Sequence, residues 1–190
     1  TKLNGKVSDK IPSLVYPSWH PTGDFIAFST NQTRQAFHFN DDNRIEVMDY
    51  ASDLLLYDVK NNEVMTVPQL FSGKAFETFP QFSPDGKTLY FCSAEAQKMP
   101  EDFQKVKYSL CSISFDPATR TFGNQVDTLY NGKETDKSVS FPRVSPDGKF
   151  LVFTLSGYGN FSIWHQDADL YLANLQDGTI APLKEANSDN

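Results

Sequence analysis

The stretch FPQFSPDGKTLYF, residues 79–91, reads as strand, tight turn, strand. Pro84 presets the backbone for a turn, and Gly86 takes a positive φ at little cost. Apolar residues lie on both sides of the turn. The stretch has two more copies: YPSWHPTGDFIAF starting at Tyr16 and FPRVSPDGKFLVF starting at Phe141. The starts are 63 and 62 residues apart. Self-similarity at a fixed period of this size signals a repeat architecture.

Each copy has the same physical parts. Pro17, Pro80 and Pro142 are expected to begin a strand, where a missing N–H is tolerated. The strand after the turn is apolar on both sides, as in Phe25-Ile26-Ala27-Phe28, so it requires cover on both faces. A second hairpin follows each time. Its strands are Asp53–Val59 with Val64–Val67, Tyr108–Ile113 with a strand near Thr121-Phe122, and Asp169–Ala173 with Thr179–Ala181. Each repeat is thus four short antiparallel strands, A to D. The blades are expected at 16–78, 79–140 and 141–190. Residues 1–15 are read as the tail of a preceding repeat, because Asn4–Lys10 echoes Asn131–Lys137.

Four-stranded sheets covered on both faces and repeated in series are the blades of a β-propeller. The expected fold is all-β: three blades of a partial propeller. The pattern Pro-x-x-Ser-Pro-Asp-Gly-Lys-x-Leu-x-Phe at Pro80–Phe91 and Pro142–Phe153 resembles the TolB-type propeller repeat, a relative of the WD-type blade. The first copy departs from it, with His20-Pro21-Thr22-Gly23-Asp24 in place of Ser-Pro-Asp-Gly-Lys. His20 is expected to be an exposed turn residue. The resemblance implies a binding module of the cell envelope, periplasmic in location. Related repeats also form the non-catalytic domain of some serine peptidases, where they gate access to a hydrolase domain.

Closed propellers have about four to eight blades. Three would leave the outer faces of the first and last sheets uncovered, and terminal repeats need capping. Two arrangements answer this. The chain is part of a longer propeller, about half of a six-bladed one, or two copies pair to complete a ring. The echo at Thr1–Lys10 favours the first, and a start at Thr rather than Met fits a trimmed piece.

The period exceeds the roughly 40–45 residues of a WD-type blade. The excess lies between strands B and C, at about residues 31–52, 94–107 and 156–168. These loops share one rim, and long loops on a rigid scaffold are where binding resides. The alternation in Arg44–Tyr50 predicts an extra strand there, as does Phe161–His165, and 94–106 suits a short helical turn. The candidate binding residues are His38, Asp41, Asp42, Arg44, Glu46, Tyr158, Trp164, His165 and Asp167. A His beside carboxylates suits metal ligation or acid–base work, and equally a solvated turn. Trp164 suits a contact residue, or packing of its own loop.

Composition excludes several classes. The net charge is −7, which argues against a nucleic-acid partner. No run approaches the ~18 apolar residues of a membrane span. No Gly-x-Ser-x-Gly elbow, phosphate-binding loop, zinc spacing or calcium loop is present. Cys92 and Cys111 fall in apolar strands and read as buried thiols, with a bridge as the lesser alternative. The chain is therefore expected to be non-catalytic and to use no cofactor. Its expected partner is a protein or an envelope polymer met at the long-loop rim, with further blades or a second copy covering its open faces.

Overall fold

The computed structural model describes residues 13–31, 35–39, 45–49, 52–99, 101–157 and 165–187. It contains three four-stranded antiparallel sheets and one added hairpin. Sheet 1 runs β1 (Ser13–Trp19), β2 (Phe25–Asn31), β5 (Ser52–Asp58), β6 (Glu63–Met65). Sheet 2 runs β7 (Ala75–Phe82), β8 (Thr88–Glu95), β9 (Ser109–Asp116), β10 (Thr121–Tyr130). Sheet 3 runs β11 (Ser138–Val144), β12 (Phe150–Ser156), β13 (Asp169–Asn174), β14 (Ile180–Pro182). The hairpin pairs β3 (Gln35–Phe39) with β4 (Ile45–Asp49) inside the long connection of sheet 1. The expected strand within Arg44–Tyr50 is thus present, and a 3-10 turn stands at Phe103–Lys105. The second expected extra strand, Phe161–His165, lies outside the described residues except for His165. The last strand of sheet 2 runs ten residues, well beyond the expected Thr121-Phe122.

The period of two along each strand divides its side chains between two neighbours. Phe25, Ala27, Leu54 and Leu56 of sheet 1 pack on Phe82, Leu89, Phe91, Ile113 and Phe115 of sheet 2. The opposite face of sheet 2, with Cys92, Ala94 and Leu110, packs on Val139, Leu151, Phe153 and Ala173 of sheet 3. Both cysteines are buried free thiols.

The prolines correct the expected strand starts. The first strands begin at Ser13, Ala75 and Ser138, ahead of Pro17, Pro80 and Pro142. Each proline sits at a break in register: between Val15 and Ser18, Thr78 and Gln81, Ser140 and Arg143. A bulge admits a residue without a ladder donor in mid-strand. The residue ahead of each proline is aromatic and left-handed, with φ of 54° at Tyr16, 54° at Phe79 and 52° at Phe141. That conformation is rare for a bulky side chain and costs about 1–2 kcal/mol. The three rings form a tilted stack, with centroids 4.6 Å apart and planes at 52° for Tyr16–Phe79, and 4.4 Å and 42° for Phe79–Phe141. The stack ties the first strands of the three blades together.

The tight turns show a second correction. In blades 2 and 3 the serine hydroxyl closes the turn. Ser83 donates to Asp85 at 2.6 Å and accepts from the Thr88 N–H, and Ser145 does the same with Asp147 and Phe150. In blade 1 His20 stands in the serine's place and is 1% exposed, not an exposed turn residue. Its ring meets Phe25, Phe82 and Phe115 edge-on, and its Nε2 lies 3.0 Å from the Gly86 carbonyl oxygen. The imidazole therefore joins the turn of blade 1 to the turn of blade 2.

The two end sheets differ. On the outer face of sheet 1, Phe28, Leu55 and Tyr57 are buried in one cluster with Leu14, Ile26, Val64 and Phe71, contrary to the expected open face. The outer face of sheet 3 is open, with Phe150 37% and Leu170 38% exposed. Among the described residues no helix is long and apolar enough to cross a membrane.

Candidate functional site

The strand order puts all the long connections on one rim. The short turns at 20–24, 83–87 and 145–149, and those at 59–62, 117–120 and 175–179, occupy the other. The predicted site residues divide among the long connections. His38 and Glu46 stand directly opposite each other in the β3–β4 ladder. Asp41, Asp42, Arg44, Tyr158 and Trp164 lie outside the described residues.

His165 and Asp167 are brought together. His165 Nδ1 lies 3.7 Å from Asp167 Oδ1, and Lys137 Nζ donates to Asp167 Oδ2 at 2.9 Å. Burial opposes ionisation of Asp167, but the Lys137 hydrogen bond and charge, with the His165 ring, hold its carboxyl below the usual range. Its hydrogen bond to Asp167 in turn raises the Lys137 ammonium, against partial burial. Lys107 reaches the same corner. It donates to the Gly157 carbonyl at 2.6 Å and pairs with Asp136 at 3.0 Å. These bonds join the connection 94–107 of sheet 2 to those of sheet 3, so His165 and Asp167 belong to a network that braces the rim.

The open part of the rim lies over sheet 2. The last strand of sheet 1 is only three residues long and pairs with Leu56–Asp58. Most of β10 is exposed, whereas β9 stays buried against sheet 1 through Cys111, Ile113 and Phe115. A cleft of about 550 Å³ results, lined among others by Ser93, Glu95, Lys105, Lys107, Thr128 and Lys133. Lys133 Nζ pairs with Glu95 Oε2 at 2.7 Å, a bond that lowers Glu95 and raises Lys133. All three ammonium groups are engaged within the chain, Lys105 with Asp102 at 2.7 Å, Lys107 with Asp136 and Lys133 with Glu95, so a carboxylate or peptide carbonyl entering the cleft has to share them. Sequence reasoning missed these lysines because they come from two connections, 94–107 and 131–137, that meet only in the folded chain.

Nucleophilic chemistry finds little support in the thiols. Burial raises Cys92 well above its ordinary value and pushes Cys111 up to about 11, so both are protonated at neutral pH. Among the described residues no group of three or more His, Cys, Asp or Glu side chains converges to hold a metal.

No family model matches the chain. One curated relative, Dipeptidyl-peptidase 5 of Porphyromonas gingivalis, is 23% identical over 154 residues, which is 77% of this chain and 18% of that protein. A solved prolyl endopeptidase superposes with a TM-score of 0.59 at 15% identity, covering 96% of this chain and 23% of that one. The shared fold is the β-propeller, and the chain spans about a fifth of the length of the relatives it matches.

Proposed function

We propose that this chain is part of the propeller domain of a larger peptidase, holding no active site of its own and presenting its long-connection rim to the hydrolase domain and its substrate. The observation that carries this reading is the likeness over 96% of the chain to about a quarter of a prolyl endopeptidase, joined by the sequence match to a dipeptidyl peptidase. Both support the peptidase alternative over a free-standing TolB-like binding module.

The open face of sheet 3 fits the same reading. Phe150 and Val152 hold the repeat positions of Phe25 and Ala27 in blade 1 and of Thr88 and Tyr90 in blade 2. Phe25, Ala27 and Tyr90 face the next sheet in line. By this register the face of Phe150, Leu170 and Leu172 receives a fourth blade of the same repeat. A second copy does not suit it as well, because the outer face of sheet 1 that would have to dock there is already buried.

The test is to treat the parent protein, isolated from its native source, with a fluorophosphonate probe for active serines, and to measure its intact mass. The expected result is a parent several times 21.4 kDa with the label outside residues 1–190. An unlabelled parent, whatever its mass, overturns the peptidase reading in favour of the binding module.

A further inference from the structure

Glu77 lies in β7, the innermost strand of blade 2, two residues before Phe79. The same repeat position holds Leu14 in blade 1 and Val139 in blade 3. Val139 is fully buried in the apolar core between sheets 2 and 3. The fold therefore does not need a carboxyl here, yet Glu77 is only 2% exposed. Its Oε2 has no hydrogen-bond partner among the described residues. Burying an unpaired carboxylate is costly, and the cost is avoided when the group keeps its proton.

Among the described residues, the neighbours of β7 offer no compensating cation. From β5 comes Asp53, itself buried, whose charge raises Glu77 further. From β9, Cys111 is near enough to feel the Glu77 charge. Strand β2 carries no titratable side chain, and the one on β1, Tyr16, is stacked on Phe79. On β8, Ser93 stands in register with Glu77, Tyr90 and Cys92 belong to the core facing sheet 3, and Glu95 is exposed and paired with Lys133. On β11, Arg143 lies beyond the bulge and bonds Gln81. Burial first, and Asp53 second, push the Glu77 carboxyl up to about 8.

We propose that Glu77 is a proton-operated latch on the seam between sheets 1 and 2: as the neutral acid it lets the rim end of the seam close, and as the carboxylate beside Asp53 it loosens it. The row Glu77, Ser93, Ser109 runs across sheet 2 from the seam into the lysine-lined cleft. Loosening the seam therefore widens that cleft in mildly alkaline solution. The inference stands on the fold and is independent of the peptidase reading.

The test is amide hydrogen exchange of β5 and β7 in the full chain from pH 6 to 9, corrected for intrinsic exchange, with carbon-13 NMR of the Glu77 carboxyl. The carboxyl should titrate near 8. The closed form then binds a proton that the open form has lost, so protection of these strands should fall with rising pH, by on the order of 50-fold over this range. Glu77→Gln and Glu77→Val should abolish the fall. A Glu77 midpoint below about 6, or an equal fall in Glu77→Gln, overturns the latch. The carboxyl titration decides the matter even where a variant does not fold.

Discussion

Gly86 and Gly148 occupy the same place in the repeat, with φ of +72° and +71°. Substitution by alanine imposes the same backbone cost on both, roughly 1–2 kcal/mol for an L residue in the left-handed region. The surroundings differ. A methyl on Gly148 would meet only Pro84, at 3.8 Å, which is ordinary contact. A methyl on Gly86 would overlap the His20 imidazole. The ring cannot retreat easily, because Phe25, Phe82 and Phe115 surround it. Overpacking of a filled site costs about 1–3 kcal/mol, and losing the bond to the Gly86 carbonyl about 1 more. Gly86→Ala should therefore destabilise the chain by about 3–6 kcal/mol and Gly148→Ala by about 1–2. Urea unfolding of both, followed by tryptophan fluorescence, measures the difference. His20→Ser, the residue type of the other two blades, should restore Gly86→Ala to the level of Gly148→Ala when measured against the His20→Ser background. Equal losses for Gly86→Ala and Gly148→Ala in the parent background would refute the claim that His20 sits in a socket formed by the next blade.

Other outcomes follow from the same structure. Phe79→Ala removes the middle ring of the aromatic stack and should cost about 3–5 kcal/mol, more than Tyr16→Ala, which removes an end ring; thermal unfolding of the two variants checks the order. Cys92 and Cys111 should resist a thiol reagent at pH 8 in the native chain and both react once urea unfolds it, since burial raises both thiols; fast labelling of the folded chain would contradict their burial. The Ser83 hydroxyl bond is the leading cause that holds Asp85 below its ordinary value, so this turn's contribution is present above the unfolded pKa and lost as pH falls through the folded one. Ser83→Ala should move the Asp85 midpoint upward in an NMR titration and flatten that acid limb.

The blades were legible in the sequence because turn chemistry is local. Ser-Pro-Asp-Gly carries its own instructions: the proline sets φ, the glycine takes φ > 0, and the Ser and Asp side chains close the turn. The rim of long connections was legible from the excess of the period, and the strand at Ile45–Asp49 from alternation. What escaped is set between sheets. The left-handed aromatics at 16, 79 and 141 owe their conformation to rings on neighbouring blades, so local rules placed their prolines at strand starts instead of bulges. His20 looked like an exposed turn residue because its socket is supplied by residues about 60 positions away. The lysine cleft is assembled from two connections. Glu77 had one available signal, the apolar residues at its repeat positions in blades 1 and 3.

The aromatic stack has a consequence for how the chain folds. Each strained ring gains its compensation from a ring on a neighbouring blade, so a blade formed alone carries the conformational cost without the contact. Stability then resides in the junctions more than in the units, as in a linear array with strong nearest-neighbour coupling. Such an array loses its intermediates: partly assembled forms sit higher in energy than either the complete array or the open chain. The three blades should therefore appear and disappear together, and damage at one bulge should be felt as a loss of cooperativity along the whole row.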